Sequence, residues 1–274
     1  MATINTNPGA MIALQNLNKT NMELQEVQNR INTGLAVSSA KDNGGVFAIA
    51  QSMRADVGGY KAVTQSLDLG VSTVDVALAA GEAISDLMVE MKEKALAAAD
   101  TSLDTASRTA LNEDFKALRD QIGTIVQNAE FNGKNLIGNG GTDLTTLANA
   151  DGSNTITIAA EDLSLTGGGL SIGTATEFGS AASAATVATS IETGLDALNS
   201  SLARLGTGSK ALEIHKTFVG KLSDALEKGI GNLVDADLAK ESARLQSLQV
   251  KQQLGIQALS IANSAPSTIL GYFR

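Results

Sequence analysis

Residues 10–35, AMIALQNLNKTNMELQEVQNRINTGL, and residues 238–263, LAKESARLQSLQVKQQLGIQALSIAN, decide the architecture of this chain. In the first, Ala10, Leu14, Leu17, Asn21, Leu24, Gln28, Ile31 and Leu35 advance by alternating steps of four and three. That spacing keeps one stripe turned toward a partner helix. In the second, Leu238, Ser242, Leu245, Gln249, Gln252, Ile256 and Leu259 advance in the same way. Each stripe is narrow and set in a polar, Asn- or Gln-rich helix, so neither segment can bury its own. More than 200 residues separate the two, and they are expected to pair with each other and with copies of themselves. The assembly seam is therefore read as Leu14, Leu17, Leu24, Ile31 and Leu35 at one end, and Leu238, Leu245, Ile256 and Leu259 at the other.

Working inward, the same step runs from Val46 to Ala98 through Met53, Tyr60, Leu67, Val74, Ile84, Met88 and Met91. Of its sixteen positions only Asp56, Gly70 and Gly81 are not apolar. A helix of that length reaches ~80 Å at 1.5 Å per residue. Gly44 and Gly45 mark a joint before it. After a turn near Thr101–Leu103, Asp104 or Ser107 can cap a helix with the stripe Leu111, Phe115, Leu118, Ile122, Ile125 and Ala129. The Asn–Gly pairs in AEFNGKNLIGNGGT end it. The period then changes: residues 155–158 and 163–165 alternate, the triple glycine 167–169 reads as a turn, and Leu170 and Ile172 follow. Helical spacing resumes at Val187 and continues to Leu233.

The predicted fold is mainly α. It is a long antiparallel coiled-coil-like helix bundle with a small β-hairpin region, and with paired N- and C-terminal helices. Residues 1–44 plus 235–274 form one domain of terminal helices. Residues 45–234 form a helical rod with the hairpin at about 136–176. The hairpin is expected at one end of the rod and both termini at the other.

Composition excludes several function classes. Aromatic residues make up 3% of the chain and Trp is absent, which suits slender bundles rather than a thick core. The only prolines are Pro8 and Pro266, so 257 residues between them lack an obligate helix breaker. A net charge of −9 argues against nucleic acid, whose binding needs clustered Lys and Arg. With no cysteine there is no disulfide, thiolate metal site or thiol nucleophile. His215 is the sole histidine, without a second one at metal-binding spacing, so an ordinary helical histidine is the simpler reading. Glu82, Asp86, Glu90 and Glu93 follow helical spacing with Lys92 and Lys94 nearby, as on a solvated helix face. No catalytic residue, metal ligand or cofactor is expected. No run of ~18 apolar residues would insert in a membrane. The start, MATINTNPGAMIALQNLN, lacks the basic and apolar regions of a cleaved signal peptide. Ser and Thr concentrate within 142–209, either as ordinary turn composition or as an exposed surface for O-linked modification.

RINTGLAVSSAKDNGGVFAIAQSMRADVGG at residues 30–59, the Phe131-Asn132-Gly133 triplet, and VDADLAKESARLQSLQVKQQLGIQALSIANSAPSTILGYFR at the C-terminus together resemble the bacterial flagellins. The first block carries Arg30, Gly34, Ser39, Ala40 and Asp42; Asn43 stands where an aspartate is common. The last carries Asp235, Ala236, Asp237, Gln252, Gln253, Ala262, Asn263 and Pro266. The family's large variable outer domains are missing, so the chain looks like a minimal form.

The resemblance implies a subunit that self-assembles into the extracellular helical filament of the bacterial flagellum, alone or mixed with other flagellins. Its terminal segments would be unordered in the free monomer and paired in the filament core. Seven Asn between residues 5 and 32 make the isolated first helix marginal, which agrees. The implied partners are the flagellar export apparatus, a secretion chaperone, and the hook-associated junction and cap proteins. In flagellins sensed by the innate receptor the long helix carries Leu-Gln-Arg-Val-Arg-Glu-Leu. Here the matching stretch is residues 88–94, where Glu90 reverses a charge, Lys94 replaces a leucine and Glu93 is retained. Weak receptor activation is expected. Two other readings share the terminal helices: a hook–filament junction protein, which forms a ring layer, and a soluble helical adaptor, which does not polymerise.

Overall fold

The structure is a computed structural model describing residues 6–165, 169–170 and 172–270, with the backbone alone for 265–270. Five helices carry it: α1 (Pro8–Thr33), α2 (Gly44–Ala98), α3 (Thr105–Asn128), α4 (Ala181–Val234) and α5 (Leu238–Leu270). Two short antiparallel ladders lie between α3 and α4, formed by β1 (Glu130–Phe131) with β2 (Lys134–Asn135) and by β3 (Leu144–Leu147) with β4 (Thr155–Ile158). The chain divides into two compact units. One comprises residues 1–55 with 225–274, the other residues 56–224.

The helix ends follow from local chemistry. Asn7 caps α1 through its side-chain oxygen, which accepts from the Ala10 amide, and Pro8 follows where a missing N–H costs nothing. Gly34 ends α1 at φ 72°, a left-handed conformation that favours glycine. Asp104, not Ser107, caps α3.

In the 56–224 unit, the α2 stripe is buried at every predicted position from Val63 to Ala98. Nearer the start of α2, Ala50 and Val57 are buried where the strict pattern selects Ile49 and Asp56, and Ile49 is 55% exposed. The spacing holds from Val63 to Ala98 and shifts once, at the six-residue step between the buried Val57 and Val63.

The strands correct two expectations. β4 forms as read, but residues 163–165 form no strand, and β3 (LTTL) supplies its partner. Gly167, Gly168 and Ser171 lie outside the described residues. The hairpin also sits at the other end of the unit from the one expected. The Leu147 amide donates to Ser66 Oγ at 3.1 Å, Ile158 lies over Gly208, and His215 Nε2–H donates to the Ala148 carbonyl at 2.7 Å. These are the parts of α2 and α4 remote from the α2–α3 turn. The reason is length: α3 has 24 residues and α2 has 55, so α3 stops early and the hairpin covers the apolar surface it leaves open.

The chain then returns along α3. The Phe178 amide donates to Asn112 Oδ1 at 2.9 Å, Arg119 donates to the Thr176 carbonyl at 3.1 Å, and Phe178 packs edge-on against Phe115 with centroids 5.3 Å apart. At its start Glu161 accepts two bonds from Arg204, at 2.6 and 2.5 Å, and one from Ser201 Oγ at 3.0 Å. The Arg204 guanidinium holds the Glu161 carboxyl below its ordinary value of 4.5. A depressed carboxylate adds stability above its unfolded pKa and loses it as pH falls through the folded one. Glu161→Gln should therefore lower the melting temperature near neutral pH, with the gap to wild type closing as pH falls below about 4.5. Melting curves across that range check this, and a gap that widens in acid would refute it.

Candidate functional site

The 1–55 and 225–274 unit is where the terminal helices meet. Asn7 Nδ2 donates to the Ala262 carbonyl at 2.6 Å, Gln252 Nε2 donates to Asn21 Oδ1 at 2.8 Å, and Arg30 Nη1 reaches Glu241 Oε1 at 3.3 Å. As the first number rises the second falls, so α1 and α5 are antiparallel. Gly255 allows a close approach, because a Cβ there would stand 3.2 Å from Leu17 Cδ1. Asp237 opens α5 by accepting from the Ala239 and Lys240 amides, both at 3.1 Å.

The connectors on either side are tied together. Leu35 and Asp235 form an isolated antiparallel bridge. The Ala36 amide donates to the Val234 carbonyl at 2.7 Å, and the Ala236 amide to the Gly34 carbonyl at 2.9 Å. Between α1 and α2, Asp42 Oδ2 accepts four bonds, from the amides and hydroxyls of Ser38 and Ser39. The Ser39 amide, then the Ser38 hydroxyl, lower the Asp42 pKa.

The seam residues divide into two groups. Leu17, Leu24, Ile31, Leu35, Leu245 and Leu259 are half-buried, while Leu14, Leu238 and Ile256 are 47%, 49% and 55% exposed. Among the described residues, the fully buried apolar positions of the α1–α5 pair are Val27 and Leu248, each adjacent to a glutamine that the four–three count selected. Gln28 and Gln249 face solvent, and Gln252 is the glutamine of the seam that bonds across it. Glu241 is 8% exposed, and its Oε2 has no hydrogen-bond partner among the described residues.

Elsewhere, Glu90 and Glu93 are exposed, and Lys94 bonds Asp114 at 3.3 Å. Among the Ser and Thr of 142–209, Thr146, Ser164, Ser201 and Ser209 are buried, whereas Thr145, Thr155 and Thr157 open to solvent on the β3–β4 hairpin. Among the described residues no cluster of His, Cys, Asp or Glu could hold a metal, and no helix is long and apolar enough to cross a membrane. Charge is uneven: residues 56–224 carry 11 Lys and Arg against 22 Asp and Glu, and the remaining residues 9 against 7.

Residues 4–142 match the bacterial flagellin N-terminal helical region, and residues 188–273 the bacterial flagellin C-terminal helical region. Flagellins FljM and FljK of Caulobacter vibrioides are 57% and 58% identical to this chain over 272 residues, covering 99% of it and 98% of each relative. A flagellin of Brucella melitensis is 40% identical over the full length of both chains. A crystal structure of Bacillus cereus flagellin, 27% identical, aligns with a TM-score of 0.48 over 56% of this chain and 86% of that one. The chain belongs to the bacterial flagellins, structural proteins rather than enzymes, and is a subunit of the extracellular flagellar filament.

Proposed function

We propose that residues 1–44 and 235–274 form the core layer of the filament and residues 45–234 the layer around it. One observation carries this reading. The α1–α5 pair buries Val27 and Leu248 yet leaves the seam residues Leu14, Leu238 and Ile256 exposed, along with Met11, Met22 and Leu254. Large exposed apolar patches mark association surfaces. These lie on different helices and are not copies of one patch. Contact between them is therefore heterologous, and such contacts propagate into open helical polymers unless the rotation closes a ring. The acidic 56–224 unit repels its copies, so association is led by the terminal helices.

The finer partners follow from this role. The chain leaves the cell through the flagellar export apparatus, with a secretion chaperone covering the terminal seams. It then meets the hook-associated junction and cap proteins at the filament ends. The N-terminal residues stay on the exported chain, because Asn7 and Pro8 begin a helix that the pair needs. Expressed in a motile bacterium stripped of its own flagellins, this chain should restore surface filaments and swimming. A short ring above the hook with no filament would favour the junction protein instead.

Thr145, Thr155 and Thr157 are the hydroxyls of the 142–209 region best placed for O-linked modification. The 88–94 stretch, with Glu90 and Lys94 in place of an arginine and a leucine, is a poor ligand for the innate receptor. A reporter-cell assay should show a weak response, and Glu90→Arg with Lys94→Leu should raise it. A full-strength response from the unaltered chain would sink this reading.

A further inference from the structure

The chain holds three Asn–Gly pairs, Asn43-Gly44, Asn132-Gly133 and Asn139-Gly140. We propose that Asn43 is a self-modifying site that converts to aspartate and isoaspartate, ahead of the other two. The Gly44 amide nitrogen, after losing its proton to water, attacks Asn43 Cγ. The Cγ–Nδ2 bond breaks, ammonia leaves, and a five-membered succinimide closes. Water then opens the ring at either carbonyl. One water is consumed and one ammonia released, with no oxidant or reductant.

Three features favour this position. Asn43 Oδ1 accepts from the Val46 amide at 3.2 Å, at the first turn of α2. That oxygen takes up negative charge in the tetrahedral intermediate. A donor at the positive end of a helix therefore stabilises the intermediate. The Gly44 N–H is a first-turn donor with no carbonyl of its own helix to bond, so it is available as the nucleophile. Glycine presents no side chain, and a Cβ built there meets nothing within 4 Å, so both attack and hydrolysis are unhindered.

The other two pairs are constrained. Asn132 (φ 51°) and Gly133 (φ 78°) are the central residues of the β1–β2 turn, pinned by the Phe131–Lys134 and Glu130–Asn135 pairings. Asn139-Gly140 lies in a turn closed by the Gly141 amide on the Gly138 carbonyl at 3.0 Å, with Gly140 at φ 72°. Neither pair opens a helix.

The two products differ in consequence. Aspartate at 43 keeps the helix cap, since Asn and Asp cap equally well, and puts a second carboxylate beside Asp42. Isoaspartate lengthens the backbone by one methylene and pulls the cap out of register with the Val46 amide. A subunit that persists outside the cell would therefore age at the joint between α1 and α2.

The test is to hold the full-length protein in warm, mildly alkaline buffer and follow tryptic peptides by mass spectrometry. The peptide of residues 42–54, bounded by Lys41 and Arg54, should gain the amide-to-acid mass first and release isoaspartate on further digestion. Gly44→Ala should abolish most of that gain. Asn43→Ser, which keeps a capping oxygen, should abolish it entirely in a chain with unchanged helicity. Gain at Asn132 or Asn139 while Asn43 stays an amide would overturn the proposal, as would an unchanged rate in Gly44→Ala.

Discussion

Arg30→Leu is expected to destabilise the unit of terminal helices by about 2–3 kcal/mol and to stop assembly at concentrations where the wild type polymerises. Glu241 sits at the pairing face of α5, and the Arg30 guanidinium is the side-chain donor to its carboxylate. Its second oxygen already lacks a partner among the described residues, so removing Arg30 leaves a buried carboxylate with neither oxygen bonded by a described side chain. The loss is moderated because the Arg30 side chain is 25% exposed and also bonds Glu26 at 2.6 Å. Adding Glu241→Leu should recover most of the stability, since replacing a buried ion pair with apolar groups is often neutral. Hydrogen exchange at α1 and α5 amides reads this unit separately from the rest. Unchanged exchange in Arg30→Leu would mean the ion pair holds nothing together.

Phe115→Ala should cost the 56–224 unit about 3–5 kcal/mol. Phe115 is fully buried, and its ring meets the edge of Phe178. The cavity falls where the returning segment is strapped to α3 by Asn112 and Arg119, and those bonds stop the backbone from collapsing into it. For a unit of this size the melting temperature should fall by roughly 10 °C. The loss should appear in amides of α3 and residues 172–180 and leave α1 and α5 unaffected. A drop of only a degree or two would show that the segment closes over the gap.

How far the fold could be read from the sequence depended on what each segment's period reported. From Val63 to Ala98 every predicted apolar position is buried, because one helix face there is covered continuously. Nearer the start of α2 the count is off by one residue, because the buried Val57 and Val63 are six residues apart where the template expects seven. In the terminal helices the same template chose Gln28 and Gln249 over their buried neighbours Val27 and Leu248. Hydrophobicity at adjacent positions was the available signal and outranks spacing there. The hairpin was legible through the alternation of Thr155–Ile158, but β3 is four residues long and its pairing depends on residues eight or more positions away. Its location rested on the shortness of α3, which is a property of the packed unit. The buried Glu241 gave no sequence signal, because an acid in the first turn of a helix is usually a solvated complement to the helix dipole.

The measurement that bears most directly on a filament driven by its terminal helices is electron microscopy of the purified chain beside a variant lacking residues 238–274. Both would be seeded with filament fragments at about 0.15 M salt, where surface repulsion is screened beyond ~8 Å. Long filaments from the intact chain and none from the shortened one are the expected result. Filaments from both would contradict the assembly role given to the α1–α5 pair, and monomers from both would contradict self-assembly itself.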